Sequence, residues 1–177
     1  SGNSKDEKWW LHYSPWFIQD LLDRQVNFSE HARLLYWCNQ LFQDAVKASE
    51  DYLFQLDSQY PEWGVKERFE ACPEEARHVL RVLYYKPSAS ILAHPYFDRS
   101  FQTIHIAESH PGLILGDKSE PYNVVPNTGL LFPGLKAEYI SDRVAMAMAN
   151  AVVATTTEER WVKFCSCIGS TTLDAWA

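Results

Sequence analysis

The chain contains 177 residues, of which 46% are hydrophobic, 14% aromatic and 22% charged, and its formal net charge is −7. This composition is typical of a globular protein and excludes an intrinsically disordered chain. The negative charge argues against a nucleic-acid partner, because nucleic-acid-binding domains cluster Lys and Arg. No apolar run approaches the roughly 18 residues of a membrane span. No signal peptide is recognisable, so we expect no membrane partner either.

The first half of the chain has the periodicity of helices. Over residues 9–22 the hydrophobic positions fall on one helical stripe, which Ser14 and Pro15 interrupt. Pro15 suits the first turn of a helix that Ser14 caps. Over residues 30–56 hydrophobic residues recur at spacings of three and four, which predicts the longest helix, with Ser29 as its N-cap. Its aromatic stripe indicates core packing rather than a ligand site.

The second half of the chain has the pattern of short strands separated by Pro, Gly, Asn and Asp. The strand-like runs cover residues 79–85, 89–93, 101–106, 112–115, 122–125, 129–132, 137–140, 145–153 and 161–168. About eight strands at this spacing predict a sandwich or jelly roll. We therefore expect one domain over residues 1–177, with a helical part at about 5–78 and a jelly-roll part at about 79–170.

The four cysteines are Cys38, Cys72, Cys165 and Cys167. None forms a CxxC pair, and no Cys/His set has zinc-finger spacing. Cys165 and Cys167 lie two apart in a strand-like run, so we expect them to share one face of a strand. Small core residues in a reducing compartment explain all four, which predicts a cytoplasmic protein.

Several segments of the second half resemble one enzyme family in their order and spacing. RVLYYKP at residues 81–87 is similar to an R-x-x-Y-Y-P strand, with one extra residue. Within HPYFDRSFQT at residues 94–103, the final DRSFQT fits the end of a metal segment, His-x-Asp-x-Gly/Ser-x-x-Thr. PGLILGDKSEPYNVVPNTGLLFPG at residues 111–134 is similar to a Gly-Leu strand, a turn and a P-x-x-G-x-x strand.

These segments resemble the iron(II)/2-oxoglutarate-dependent oxygenases of the isopenicillin N synthase-like branch. A further pair of segments, residues 141–143 and 150–152, stands at the spacing of that family's Thr-Asn-Gly and His-Arg-Val signals. The resemblance covers roughly half of the chain. It implies an α+β fold with a double-stranded β-helix (jelly roll) core and N-terminal helices packed outside it.

The resemblance also implies where a site would lie. The family's first metal-binding histidine stands two residues before the aspartate, and Tyr96 occupies that position before Asp98. The second histidine position corresponds to Asn150. Ten residues further on, Arg160 stands where the family has the arginine that grips the 2-oxoglutarate carboxylate, and Val162 replaces its partner serine. Iron(II) and 2-oxoglutarate are therefore the cofactors that an active member would use.

The chemistry of these residue types differs from that of an oxygenase site. Iron(II) that activates dioxygen is held by two imidazoles and one carboxylate. Tyr96 would have to lose a proton with a pKa of about 10, which suits iron(III) better. The Asn150 carbonyl is a hard oxygen donor suited to calcium or magnesium. His94 is an alternative ligand because it lies on the same face of an extended strand. Pro95 opposes this.

Purely structural roles would also explain several of these polar residues. His105 and His110 are further metal-ligand candidates, but a hydrogen-bonded structural or surface role fits them better. Asp98 is also explained as a turn or salt-bridge residue. Arg160 is also explained as the partner of a carboxylate such as Glu158 or Glu159.

Our first hypothesis is a degenerate family member without oxygenase chemistry. Its ligand would be a small carboxylate bound by Arg160, with Tyr84 and Tyr85 lining the same mouth, or a protein partner bound by the outer surface. The resemblance implies that Arg160 faces the cavity opposite Asp98. A buried Arg requires an anion, so we expect a ligand carboxylate, a buffer ion or a neighbouring Asp or Glu beside it. We also expect 2-oxoglutarate to bind weakly or not at all, since Val162 cannot supply the serine's hydrogen bond.

Two alternatives remain. The chain is either an active oxygenase whose iron is held by Asp98 with Tyr96, Asn150 or His94, or a structural or assembly subunit. Exposed apolar strand edges would favour the subunit hypothesis.

Overall fold

A computed structural model describes residues 8–86, 91–123, 125, 128–155 and 158–167. Its helices are α1 (Pro15–Asp23), α2 (Ala32–Gln59), α3 (Val65–Ala71), α4 (Glu74–Arg77) and α5 (Leu135–Ile140), with short 3₁₀ turns at Ser29–His31 and Pro61–Trp63. Its strands are β1 (Lys8–Tyr13), β2 (His78–Tyr85), β3 (Ile91–Phe97), β4 (Gln102–Glu108), β5 (Leu113–Leu115), β6 (Leu130–Pro133), β7 (Ala149–Val153) and β8 (Arg160–Cys167).

The strands form two antiparallel sheets. The larger sheet has the order β1-β2-β8-β4-β6, and the smaller has the order β3-β7-β5. A core of apolar side chains joins them, comprising Leu83 and Tyr85 of β2, Leu92 and Ala93 of β3, Val152 of β7 and Val162 of β8. Strands that are distant in sequence are thus neighbours, and the two sheets enclose one core, as in a jelly roll.

The N-terminal helices pack outside the jelly roll. Cys38, Phe42 and Ala45 of α2 join Tyr13 of β1 and Leu80 of β2 in one buried cluster on the outer face of the larger sheet. A second cluster, around Leu53, Trp63, Val65, Phe69, Phe101 and Ala137, fixes α2 to α3 and α5. The predicted α+β fold, with a jelly-roll core and helices outside, is confirmed.

The predicted helical stripe over residues 9–22 is wrong in its first part. Residues 8–13 form β1, which pairs antiparallel with β2 from Lys8↔Tyr85 to Tyr13↔Leu80. The predicted helical part of the chain therefore contributes a strand to the sheet. The second part of the prediction is confirmed, because α1 begins at Pro15 and Ser14 Oγ accepts a hydrogen bond from the Phe17 amide at 3.2 Å.

The long helix is confirmed, but its predicted cap is wrong. α2 covers 28 residues, close to the expected range of 30–56. Ser29 lies in a 3₁₀ turn instead, where its amide donates to Asn27 Oδ1 at 2.9 Å. His31 precedes α2 and makes no capping hydrogen bond through its side chain.

Two of the strand predictions are wrong. Residues 137–140 belong to α5, because apolar runs of four residues do not distinguish strand from helix. Residues 122, 123 and 125 are outside any strand. The run at 145–153 shortens to β7, whereas the other runs agree within a few residues. Residues 89, 90, 124 and 168 of the predicted runs lie outside the described residues.

The remaining sequence predictions concern cysteines and membranes. Cys38 is buried and Cys72 is partly buried, and neither forms a disulfide. The side chains of Cys165 and Cys167 lie outside what the structure describes. Within the described ranges, no helix combines the length and apolar character needed to cross a membrane. The cytoplasmic location and the single domain over residues 1–177 stay predictions.

Candidate functional site

A small cavity lies between the two sheets. Its volume is about 20 Å³, enough for roughly one water molecule. The polar side chains that line it are Tyr85, Tyr96, Asp98, Thr103, His105, Asn150 and Arg160. Five of these, all except Thr103 and His105, are among the site residues expected from the sequence.

Asp98 follows β3 and is held in place by its neighbours. Its Oδ2 accepts a hydrogen bond from Thr103 Oγ1 at 2.6 Å, and its backbone oxygen accepts one from the Leu135 amide at 2.9 Å. Burial raises the pKa of Asp98 above its usual value, while the Thr103 hydrogen bond and the charge of Arg81 oppose the rise. Gly134, which precedes Leu135, packs against the same segment, and a Cβ on it would stand 2.2 Å from Ser100 O. These contacts position the segment that carries the Asp98 carboxylate.

Tyr96 and Asn150 are cross-strand partners in β3 and β7. The Tyr96 side chain is 37% exposed, whereas Asn150 is 4% exposed. The Asn150 amide nitrogen is buried without a hydrogen-bond partner among the described residues. The two positions at which the resemblance implies metal-binding imidazoles thus meet directly across the smaller sheet.

Arg160 begins β8 and is 3% exposed. Its Nη2 forms an ion pair with Glu108 Oε2, and its Nε donates to His110 O at 2.9 Å. The Tyr85 ring centroid lies 5.7 Å from its guanidinium carbon. Burial lowers the pKa of Arg160 from its usual value, and Glu108 and Tyr85 oppose this. The expectation that Arg160 borders the cavity and has an anion agrees with this geometry.

The anion is a neighbouring glutamate, one of the expected alternatives, but it is neither Glu158 nor Glu159. Glu158 lies 3.1 Å from His110 Nε2 with a side chain that is 73% exposed, and Glu159 is a hydrogen-bond partner of Tyr84. Glu108 is the actual partner of Arg160, because the pairing of β4 with β8 brings it alongside.

Known proteins resemble this chain in structure only. No protein-family model matches, and no curated protein matches by sequence. The structure of the dioxygenase for auxin oxidation 1 of Arabidopsis thaliana, a binary complex with 2-oxoglutarate, superposes with a TM-score of 0.73 at 16% identity, over 97% of this chain and 66% of that one. The fold is the double-stranded β-helix of 2-oxoglutarate/iron(II) oxygenases.

Two bacterial structures agree with this assignment. A 2OG-Fe(II) oxygenase family protein of Caulobacter crescentus superposes with a TM-score of 0.62 at 16% identity, over 99% of this chain and 63% of that one. A candidate oxygenase of Shewanella oneidensis superposes with a TM-score of 0.62 at 19% identity, over 93% of this chain and 63% of that one. This chain therefore spans 63% to 66% of the three structures, and at such identities the likeness shows the fold alone.

Two residues expected at the site of this oxygenase-type jelly roll lie elsewhere. Tyr84 points to the opposite face of β2 from Tyr85, and its ring centroid lies 4.6 Å from that of Trp161. Neighbouring residues of a strand face opposite sides, so the two tyrosines cannot share one mouth. His94 is exposed and does not line the cavity. The register of β3 shifts between Ala93 and Tyr96, which breaks the alternation on which the His94 prediction depended.

Sequence reasoning undervalued His105 and missed Glu108. His105 is 2% exposed and lines the cavity, and its Nε2 lies 3.4 Å from Glu108 Oε2. The spacing of two from Thr103 could have placed His105 on the cavity face. Glu108 follows a register shift between His105 and Ala107, so alternation along the strand does not predict its direction.

The donor set around Asp98 does not fit iron(II). Within the part of the chain that the structure describes, no group of three or more His, Cys, Asp and Glu side chains could hold a metal ion. Beside Asp98, Tyr96 offers a phenol oxygen and Asn150 offers a carboxamide oxygen. Both are poorer ligands for iron(II) than the imidazole nitrogens of a two-histidine, one-carboxylate site.

Proposed function

We propose that this chain is a binding protein that keeps the oxygenase-type jelly roll but not its iron chemistry. The observation that carries the proposal is the pairing of Tyr96 with Asn150 beside Asp98. Iron(II) sites of this type depend on two neutral imidazoles and one carboxylate. Neither a phenol that must ionise nor a carboxamide replaces an imidazole, so the affinity for iron(II) should be low.

An active oxygenase with an unusual metal sphere is the second candidate function. It is favoured by Asp98, which remains buried and oriented by Thr103. Its ligands would be Asp98 with Tyr96, Asn150 or His94. The exposed position of His94, outside the cavity lining, weakens that choice.

Metal content and turnover separate the two candidates. The purified chain, loaded anaerobically with iron(II) and desalted, should retain far less than one equivalent and should not consume 2-oxoglutarate. Stoichiometric iron(II) with 2-oxoglutarate consumption, both lost in Asp98→Ala, would establish the active oxygenase instead. Asp44→Ala is a matched control, since Asp44 is an exposed carboxylate on α2 outside the cavity lining.

Of the two ligand types expected from the sequence, a protein partner has the stronger support. Arg160 already has the carboxylate of Glu108, and the cavity of about 20 Å³ is too small for a dicarboxylate. The outer face of the larger sheet contains a much larger groove at the β1 edge, with a volume of about 590 Å³. We call this groove the aromatic face, and it is lined by Trp9, Trp10, Leu11, Leu34, Val82, Tyr84, Glu159 and Trp161.

The aromatic face suits an extended segment of another protein. β1 is the outer strand of its sheet and pairs only with β2 among the described strands. Trp9 and Trp10 are neighbours on β1, both border the groove, and they are 65% and 62% exposed. A strand that pairs with the β1 edge would cover both rings at once and would satisfy the edge backbone groups. This agrees with the hypothesis of a structural or assembly subunit.

Selection of linear peptides on the immobilised chain tests the partner proposal. Enriched peptides should alternate apolar and polar residues, and they should bind Trp10→Asp at least about tenfold more weakly than the wild type. Tyr139→Asp is the control, because Tyr139 is 67% exposed on α5 and lies outside the aromatic face. A wild-type dimer that Trp10→Asp dissociates would identify a second copy as the occupant. Peptides that bind both variants equally would exclude this face.

A further inference from the structure

The ion pair between Arg160 and Glu108 is almost completely buried. The two side chains are 3% and 4% exposed, and Nη2 of the arginine meets Oε2 of the glutamate. Removing two charges from water is costly unless they are paired and hydrogen-bonded. The surrounding residues must therefore position the two side chains against each other and supply further hydrogen bonds.

Several neighbours enclose the guanidinium group. His110 O accepts the hydrogen bond from Nε, and the Tyr85 ring lies beside the guanidinium carbon. Gly112 packs so closely that a Cβ there would stand 2.6 Å from Arg160 Nε and 2.6 Å from Val153 O. Nη1 of Arg160 has no hydrogen-bond partner among the described residues. Arg160 thus has one charged partner in the described structure, and it belongs to the chain itself.

A histidine also lies close to Glu108, whose Oε1 has no hydrogen-bond partner among the described residues. His105 Nε2 lies 3.4 Å from the same Oε2 that meets Arg160. The glutamate follows the register shift in β4, which turns its side chain toward β8. A free carboxylate that approached Arg160 would meet the negative charge of Glu108 and a space for roughly one water molecule.

We propose that Glu108 is the resident carboxylate of Arg160, which makes the site self-occupied and keeps free small carboxylates away from this arginine. The inference deepens the proposed function, on which it rests, by naming what fills the anion position. Its chemical consequence is specific. Removal of the Glu108 side chain should create a site for a small carboxylate such as formate or acetate, because the buried guanidinium then lacks an anion.

Rescue by added carboxylates tests this inference in the full chain. Glu108→Ala should melt at a lower temperature than the wild type, and acetate or formate should raise its melting temperature in proportion to the logarithm of their concentration. The concentration needed should be at least about tenfold lower than any that affects the wild type. The double variant Glu108→Ala/Arg160→Gln should show no such rescue. Glu158→Ala is the control, since that exposed carboxylate contacts His110 instead.

Opposite results would overturn the proposal. Glu108→Ala that folds but responds to acetate no more than the wild type does would exclude a carboxylate position at Arg160. Wild-type protein that binds 2-oxoglutarate in calorimetry without metal, with binding lost in Arg160→Gln, would show that Glu108 does not occupy the site. Chloride at equal ionic strength separates specific rescue from general screening.

A variant pair decides the matter where Glu108→Ala does not fold. Glu108→Asp keeps the charge and Glu108→Gln keeps the shape, so the aspartate variant should be the more stable of the two. A glutamine variant as stable as the wild type would overturn the proposal, because Arg160 would then need no anion. Iron uptake by the wild type would contradict the proposed function and leave these carboxylate results unaffected.

Discussion

Thr103 donates its hydroxyl hydrogen to Asp98 across five residues, with 2.6 Å between Thr103 Oγ1 and Asp98 Oδ2, and both side chains are buried. Ser100 Oγ lies 3.2 Å from the same hydroxyl. The short segment after β3 therefore forms a closed polar network at the cavity wall.

Removal of this hydroxyl should destabilise the protein. We expect Thr103→Val to lower the free energy of unfolding by about 1–3 kcal/mol, because the buried Asp98 carboxylate loses its side-chain donor. Urea unfolding at neutral pH measures the change. Thr103→Ser keeps the hydroxyl and should retain most of the stability. A loss in Thr103→Ser, which removes only the methyl group, with none in Thr103→Val would mean that the methyl group, and not the hydrogen bond, matters.

Introduction of two imidazoles should create metal affinity. We expect Tyr96→His/Asn150→His to bind iron(II) or cobalt(II) with a stoichiometry near one, since the two positions face each other beside Asp98. Metal content after anaerobic loading and desalting measures the gain. The same double variant with Asp98→Ala should lose it. A double variant that binds no more metal than the wild type would show that the positions do not converge on one ion.

Addition of a methyl group at Gly112 should disturb the Arg160 site. A Cβ there would lie 2.6 Å from both Arg160 Nε and Val153 O, so the guanidinium or the backbone must move. We expect Gly112→Ala to cost about 1–3 kcal/mol in thermal or urea unfolding. Gly64→Asn is the control. A Cβ added at Gly64 would have no atom within 4 Å, and asparagine tolerates the φ of +55° at this position. A neutral Gly112→Ala would contradict the tight packing.

Stability should fall in mild acid because of His78. Burial, with Arg77 adding to it, lowers the pKa of His78 from 6.5 to about 4. Between these values the unfolded chain takes up a proton that the native chain does not, so the native state loses stability as the pH decreases. The protonation of His78 in the unfolded chain should therefore lower the free energy of unfolding by about 2 kcal/mol between pH 7 and pH 5.

Urea unfolding of His78→Leu at both pH values measures this contribution, since the variant should lose less stability in acid than the wild type. Glu50 Oε1 lies 3.5 Å from His78 Nε2, but neither ring nitrogen has a hydrogen-bond partner among the described residues. Burial raises the pKa of Glu50, which works in the opposite direction as the pH changes. Glu50→Gln should accordingly retain the His78 effect. An unchanged pH dependence in His78→Leu would contradict the prediction.

Much of the fold was predictable because its signals are local. Residues 30–56 showed a helical period, and most strand-like runs became strands. β1 was mistaken for helix because its aromatic residues fit a helical stripe, and only the pairing with β2 decides its conformation. α5 was mistaken for strand because four apolar residues fit both periods.

The candidate site was predictable to the extent that the family resemblance applied. The resemblance implied Asp98, Tyr96, Asn150 and Arg160 as site residues, and the structure arranges all four around one cavity. Spacing failed for His94, where the strand register shifts. It could not assign roles to any of these residues, which stay predictions.

The sequence by itself determined the segments with a clear period and the short Asp98-to-Thr103 arrangement, since both depend on the geometry of a few consecutive residues. Only the tertiary structure decided which carboxylate Arg160 meets. Glu108 is 52 residues away, follows a register shift in β4, and reaches Arg160 only through the pairing of β4 with β8. The nearby Glu158-Glu159 pair was the obvious choice along the chain, but burial favours the partner that the sheet places inside the protein.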